Sequence, residues 1–278
     1  MKSLVNSLDA PKPRPHPLAT AFRRRAERAE LLAPTSDTAA SALRFAAGLY
    51  RAQAENADAL QSVHARQPLT GDLALDAPAL VSPAQRILRF VGDCGPPPLA
   101  EEAHQRVGQE ASVAISRLLV CWTGDRPWAE DYLTRAVLRV YVEQLSQEKI
   151  APVRPHREGH CPFCGGPAWI ASRRSADNAD GAQRLLGCAL CGGEWPLVRI
   201  RCPCCGEANP DKLPHFSADR YPAVRIEACD SCKRYVKSLD LTLDARPIPE
   251  VDELVSLGLD LWALEQGYSR IEPGLAGI

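Results

Sequence analysis

The chain has 278 residues, enough for one large domain or two ordinary ones. Its 33 Lys and Arg almost balance 34 Asp and Glu, so the formal net charge is −1, and 24% of the residues are charged. The chain therefore has no overall excess of acidic or basic residues. This argues against attraction of the whole chain to nucleic acid or to a membrane surface.

The first 36 residues are rich in Pro, Arg and Ala. Residues 1–36 are therefore predicted to form a flexible arm followed by a short charged helix over 18–32. Three consecutive arginines at 23–25 are followed by small and charged residues instead of an apolar stretch, which a secretory signal requires. The protein is therefore expected to act in the cytoplasm.

Residues 37–150 predict an α-helical domain. Apolar residues at helical spacing indicate helices over 37–64, 101–122 and 128–147, and a capping box at Ser82 predicts another that stops near Gly92. In the helix predicted over 128–147, Leu133, Val137 and Tyr141 are expected to face inward. The apolar run at 113–122 is far too short to span a bilayer, so no membrane insertion is expected.

Eight of the eleven cysteines form four Cys-x-x-Cys pairs: Cys161 and Cys164, Cys188 and Cys191, Cys202 and Cys205, and Cys229 and Cys232. Twenty-three residues separate the first pair from the second and the third from the fourth, so the unit C-x2-C-x23-C-x2-C occurs twice. Each copy opens with Cys-Pro-x-Cys-Gly, and each has an arginine four residues before its third cysteine (Arg184 and Arg225).

This spacing predicts two metal sites, each made of four thiolates. A Cys-x-x-Cys turn, or knuckle, directs two sulfurs at one point, and a second knuckle completes a tetrahedron. Such sites leave no coordination position open for water or substrate, which favours a structural or redox-active ion over a hydrolytic one. Zinc and iron both accept this geometry, so the spacing does not separate them. Knuckles paired within each repeat are the simplest scheme, and an interleaved scheme remains open.

Three cysteines are left over. Cys204 interrupts the third knuckle and is predicted to be a spare thiol, with Cys205 as the ligand. Cys94 and Cys121 are expected to be small buried hydrophobic residues. A disulfide framework is the other interpretation of so many cysteines, but the chain shows no secretory signal and its cysteines are spaced like metal ligands.

Residues 156–245 thus predict a tandem zinc-ribbon or rubredoxin-like region, with short strands over 168–172, 184–187, 195–201 and 236–243. The last segment, 246–278, contains a predicted helix that ends at Gly267 and packs on the helical domain. Its apolar positions are Val251, Leu254, Leu257, Leu261 and Leu264. The predicted fold class is α+β, with an all-α N-terminal domain, the metal region and a C-terminal helix.

Several longer motifs resemble the FdhE family of formate dehydrogenase accessory proteins. They are Cys161-Pro162-Phe163-Cys164-Gly165, the stretch 184–191 leading into Glu194-Trp195, the stretch 198–202, the stretch 227–232, Leu259-Asp260 and Gly267-Tyr268-Ser269-Arg270. The resemblance covers roughly residues 160–270. It implies a cytoplasmic assembly factor that is not itself an enzyme, that binds the catalytic subunit of formate dehydrogenase, and that carries rubredoxin-like iron at its cysteines. Cys204 departs from the family pattern.

Two other functional classes use the same kind of four-cysteine site. A nucleic-acid-binding zinc ribbon is disfavoured by charge, because residues 156–245 contain twelve Lys and Arg against eleven Asp and Glu. Eight thiolates on two divalent ions bring that region to −3, which is a poor phosphate-binding surface. A rubredoxin-like electron-transfer protein fits the ligands but would need a partner enzyme. For the assembly factor, an apolar groove between the two regions is expected to receive the partner.

Overall fold

The N-terminal half of the protein is a helical domain. The computed structural model describes residues 16–124, 130–154, 156, 158–175, 181–275 and 277. Its first six helices are α1 Pro17–Leu32, α2 Ala40–His64, α3 Leu73–Cys94, α4 Pro97–Arg106, α5 Ala111–Thr123 and α6 Tyr132–Gln147. The helices predicted over 18–32 and 37–64 are confirmed as α1 and α2. The predicted arm before residue 16 lies outside the described residues.

Helix α6 lies at the centre of this domain. Every residue from Leu133 to Leu145 is buried, including the predicted inward positions. The buried face is therefore wider than the predicted stripe, and it includes Arg135, Arg139 and Glu143. These charged side chains are buried because they pair with residues that arrive from the rest of the chain. The start predicted at residue 128 lies outside the described residues.

Helix α3 begins ten residues earlier than the sequence predicted. Asp72 caps it by accepting a hydrogen bond from the Ala74 backbone N–H, and the helix then continues through Pro78 and Pro83. The buried Asp76 carboxylate accepts hydrogen bonds from the backbone N–H groups of Thr70 and Gly71, which fixes the first turn. The prediction that Ser82 begins the helix is therefore wrong.

The single helix predicted over 101–122 is two helices. Helix α4 ends at Arg106, and α5 begins at Ala111. Between them Gly108 has φ +75°, a left-handed conformation that glycine adopts without the steric cost that a side chain would add. This residue breaks the helix that the apolar periodicity had joined.

The cysteine repeats build six strands of a seven-stranded sheet, and the C-terminal segment adds the seventh. Its strands are β1 Ala168–Ser175, β2 Ala182–Cys188, β3 Glu194–Pro196, β4 His215–Ser217, β5 Val224–Cys229, β6 Arg234–Asp240 and β7 Ser269–Arg270. The order is β3-β2-β1-β6-β5-β4, with β7 paired to β6. Each repeat contributes an antiparallel three-stranded ribbon, and parallel pairing of β1 with β6 joins the two ribbons edge to edge.

The strands differ from the predicted ones in three ways. The strand predicted over 195–201 ends at Pro196, because proline has no backbone N–H to continue the ladder. The strand predicted over 236–243 is β6, which lies two to three residues earlier. Strands β4, β5 and β7 were not predicted, although β5 precedes the fourth knuckle just as β2 precedes the second.

The C-terminal segment forms two short helices, α7 Pro249–Asp252 and α8 Leu257–Glu265, joined by a 3-10 turn over Glu253–Ser256. Helix α7 packs on α1, whereas α8 packs on β5 of the second ribbon. The tighter turn changes the phase of the helix, so Leu259 and Ala263 are buried while Leu261 is 52% and Leu264 is 45% exposed. The predicted apolar stripe is wrong beyond Leu257, which still packs against the core, and the packing of the whole segment on the helical domain is wrong as well.

The predicted fold class is confirmed: a helical N-terminal part precedes a sheet with two four-cysteine clusters and a C-terminal helix. Along the described residues, no helix combines the length and the hydropathy needed to cross a bilayer. The domain limits at 36, 150, 156 and 245 remain predictions.

Candidate metal centres

All four knuckles adopt the same turn. In each, the backbone N–H of the residue after the second cysteine donates a hydrogen bond to the carbonyl of the first cysteine. That residue has a positive φ in every case: 66° at Gly165, 66° at Gly192, 78° at Gly206 and 55° at Lys233. Glycine, which adopts this conformation without steric cost, occupies the position in three knuckles, and the fourth uses lysine.

The structure brings the knuckles together within each repeat. The sulfurs of Cys161, Cys164, Cys188 and Cys191 form one group, and those of Cys202, Cys205, Cys229 and Cys232 form the other, with all sulfurs in a group within 4.8 Å of one another. In the first group the Sγ atoms of Cys161 and Cys191 are 3.6 Å apart and those of Cys164 and Cys188 are 3.4 Å apart. The corresponding distances in the second group are 3.8 Å and 3.7 Å.

These distances fit four-coordinate metal. A tetrahedron with metal–sulfur bonds of about 2.3 Å has sulfurs about 3.8 Å apart, which is the spacing of the second group and slightly more than that of the first. Both groups could therefore each hold one ion, and four sulfur donors suit zinc or iron equally well. We refer to the groups as the first and second centre.

The acid–base properties of the first centre also favour a cation. Hydrogen bonds from the Cys164, Cys188 and Cys191 thiols lower the pKa of Cys161. Burial raises the pKa of Cys188 well above its usual value, and hydrogen bonds with Cys161 and Cys164 raise that of Cys191. Four crowded sulfurs therefore resist ionising together. A divalent cation removes this obstacle, because it compensates the repulsion between thiolates.

The two centres differ in exposure. All four cysteines of the first centre are buried. In the second, Cys202 and Cys229 are buried, Cys232 is partly exposed and Cys205 is exposed. The second centre therefore lies at the surface of the protein.

Cys94, Cys121 and Cys204 belong to neither group of four sulfurs. Cys204 is exposed and does not belong to the group of sulfurs within 4.8 Å, which contains Cys205 instead. Its backbone N–H donates to the Cys202 sulfur at 3.4 Å. Cys121 is buried as predicted, whereas Cys94 is exposed, because it ends α3 at the surface.

A buried ion-pair network joins the first centre to the helical domain. Arg25 of α1 pairs with Glu143 of α6 at 2.8 Å and with Glu250 of α7 at 2.5 Å, and Arg139 pairs with both glutamates. A Cβ atom on Gly192, in the second knuckle, would lie 3.2 Å from Arg25 and from Glu143. The knuckle therefore packs directly on the network, and a glycine at this position permits the approach.

The repeated arginines have a shared partner. Arg184 of β2 and Arg225 of β5 both bind Glu227, with the Arg184 Nε 2.8 Å and the Arg225 guanidinium 2.6 Å from its carboxylate. Arg184 also donates to the carbonyls of Val198 and Arg201, in the segment between the second and third knuckles. Burial would raise the pKa of Glu227, but the two arginines hold it below its usual value. The repeated arginine is visible in the sequence. In the structure, the bond between Arg184 of the first ribbon and Glu227 of the second links the two ribbons.

A cavity of about 360 Å³ lies between α1, the first ribbon and the chain that leads into α7. Charged side chains line much of it, namely Arg24, Arg25, Arg174, Glu194 and Glu250. A groove therefore lies between the two regions, and its lining combines these charged side chains with apolar ones such as Trp169, Ile170 and Ile248.

The chain is similar in sequence to proteins of the FdhE family. The family description "FdhE, C-terminal domain" matches residues 200–275. A "Protein FdhE homolog" from Pseudomonas aeruginosa is 36% identical over 135 residues, which cover 47% of this chain and 43% of that protein. Another, from Aquifex aeolicus, is 32% identical over 120 residues, covering 43% and 42% of the two chains. These matches span less than half the length of the curated relatives.

A solved structure extends the similarity to nearly the whole chain. The crystal structure of the FdhE protein from Pseudomonas aeruginosa superimposes with a TM-score of 0.66 and 28% identity, covering 92% of this chain and 95% of that one. The fold and the two centres define a tetracysteine protein built on a helical domain. Residues 200–275 match the FdhE C-terminal domain, and nearly the whole chain is similar in fold to a solved FdhE protein, in agreement with the resemblance seen in its cysteine motifs.

Proposed function

We propose that the protein is a cytoplasmic accessory factor for the assembly of active formate dehydrogenase. It binds the catalytic subunit of that enzyme, and each of its two four-cysteine groups holds one iron or zinc ion. The observation that carries the proposal is the pair of centres in an FdhE fold, with all eight predicted sulfurs gathered in two groups of four.

The donor set supports an assembly role over catalysis at the metal. Each ion would have four protein sulfurs and no vacant position for a substrate. The buried arginine network instead ties the helices next to the first centre together, and a preorganised surface binds a protein partner at lower entropic cost.

Electron transfer is the second candidate, and the exposure of the second centre favours it. Iron bound near the surface could exchange electrons with a partner, as in rubredoxin-like proteins. Zinc at both centres would exclude this candidate, because Zn²⁺ has no redox chemistry.

The proposal predicts the behaviour of cells that carry a four-cysteine variant. Replacing Cys161, Cys164, Cys202 and Cys205 by serine should abolish formate dehydrogenase activity while the catalytic polypeptide is still synthesised, because assembly fails and not expression. The variant should also capture less of the catalytic subunit in a pull-down. Activity assays on cell extracts, with immunoblots for the polypeptide, measure both effects.

Cys204→Ser is the matched control, since it removes a cysteine from the same loop but not from either group of four. It should retain dehydrogenase activity. Full activity with the four-cysteine variant, or formate oxidation by the purified protein alone, would contradict the proposal.

A further inference from the structure

We propose that the two centres have different roles: the first holds its ion permanently, while the second is an exchangeable site for a divalent ion, with Cys204 as the ligand that enters during exchange. This inference rests on the proposed binding of metal at both centres. It adds an activity that the family resemblance does not supply, namely uptake and release of metal at one defined site.

Access to the sulfurs is the first argument. A four-coordinate thiolate centre exchanges its ion when another donor comes within bonding distance, so the rate depends on how far the sulfurs are covered. In the first centre the exposed fractions of Cys161, Cys164, Cys188 and Cys191 are 3%, 0%, 0% and 5%. In the second, Cys205 is exposed and Cys232 partly so.

The covering of the first centre is the second argument. Gly192 of its second knuckle packs on the Arg25–Glu143 pair of the helical domain. On the other side, the Arg154 guanidinium donates to the Cys164 carbonyl at 3.0 Å and lies over the Trp122 ring at 5.4 Å. Release from this centre therefore requires the ribbon to separate from the helices, whereas the Cys205 side of the second centre faces solvent.

Cys204 supplies the third argument. It is exposed, it is adjacent to the exposed ligand Cys205, and its backbone N–H already donates to the Cys202 sulfur. In the exchange step the Cys204 sulfur would take the place of the Cys205 sulfur as the fourth donor to the ion. The proton leaving the Cys204 thiol passes to the freed Cys205 sulfur, so neither charge nor oxidation state changes. Cys204 thus keeps the site partly coordinated while a ligand is displaced.

The test measures metal release from the full chain. Protein loaded anaerobically with Zn²⁺ is mixed with excess chromophoric chelator, pulses of N-ethylmaleimide are applied during release, and the labelled cysteines are mapped by peptide mass spectrometry. We expect two phases that differ about tenfold or more in rate, the scale on which surrounding residues alter metal sites. Labelling of Cys202, Cys205, Cys229 and Cys232 should accompany the fast phase, with the first centre protected until the slow one.

Cys204→Ser should keep two ions per chain but slow the fast phase several-fold, whereas Cys94→Ser, which removes a remote exposed cysteine, should change neither phase. Release of both ions at one rate, or earlier labelling of the first centre, would overturn the division of roles. An unchanged fast phase in Cys204→Ser would overturn the role of Cys204. Fewer than two ions per loaded chain would instead contradict the proposed metal binding itself.

Discussion

Serine in place of Cys161 should remove the ion from the first centre and unfold the ribbon around it, and Cys229→Ser should do the same at the second. Structural zinc sites contribute apparent free energies of about 10–16 kcal/mol, so losing even part of this is large beside a typical domain stability of about 5–15 kcal/mol. Bound metal per chain and thermal unfolding of the anaerobic protein measure the two effects.

Cys204→Ser is the control for this prediction as well. Because the Cys204 sulfur lies outside the group of four, the variant should bind two ions and unfold near the wild-type temperature. Loss of metal from Cys204→Ser comparable to that from Cys229→Ser would show that Cys204, and not Cys205, is the ligand of the third knuckle.

Lys237→Met should destabilise the protein by about 3–5 kcal/mol, because it removes one of the two cations of a fully buried ion cluster and leaves a single arginine against two buried carboxylates. The Lys237 Nζ lies 2.9 Å from the Glu253 carboxylate and also binds Asp260, and all three side chains are at most 1% exposed. Arg270 binds the same two carboxylates, so the cluster joins β6 and β7 to the C-terminal helices. Denaturant unfolding of the two proteins gives the difference in free energy.

Lys212→Met is a matched control. The Lys212 side chain is 55% exposed, and its Nζ lies 3.9 Å from the Glu207 carboxylate, too far for a hydrogen bond. An exposed pair of this kind contributes at most about 1 kcal/mol. Equal stabilities for Lys237→Met and the wild type would show that the cluster does not fix the C-terminal segment to the sheet.

The sequence predicted the features that are set by residues close to one another along the chain. Four Cys-x-x-Cys turns of the same form were readable because each knuckle is set by five consecutive residues, as at 161–165. Helices α1 and α2 were readable from their apolar periodicity. The motif residues Asp260 and Arg270 also stood out, but as parts of a family pattern and without a physical role.

The sequence could not predict contacts between distant segments. Arg139 and Glu250 are 111 residues apart, and nothing in the local sequence of either residue shows that they pair in the interior. The parallel pairing of β1 with β6, which places Ile170 opposite Lys237, depends in the same way on how the two ribbons meet. The change of phase in the C-terminal segment follows from one 3-10 turn that apolar spacing does not encode.

Elemental analysis of the protein purified without oxygen tests the central claim most directly. Oxygen must be excluded, because thiolates lost to disulfides release their metal. Two groups of four sulfurs predict two ions of iron or zinc per chain. A value of one ion or none in the anaerobic protein would contradict the account.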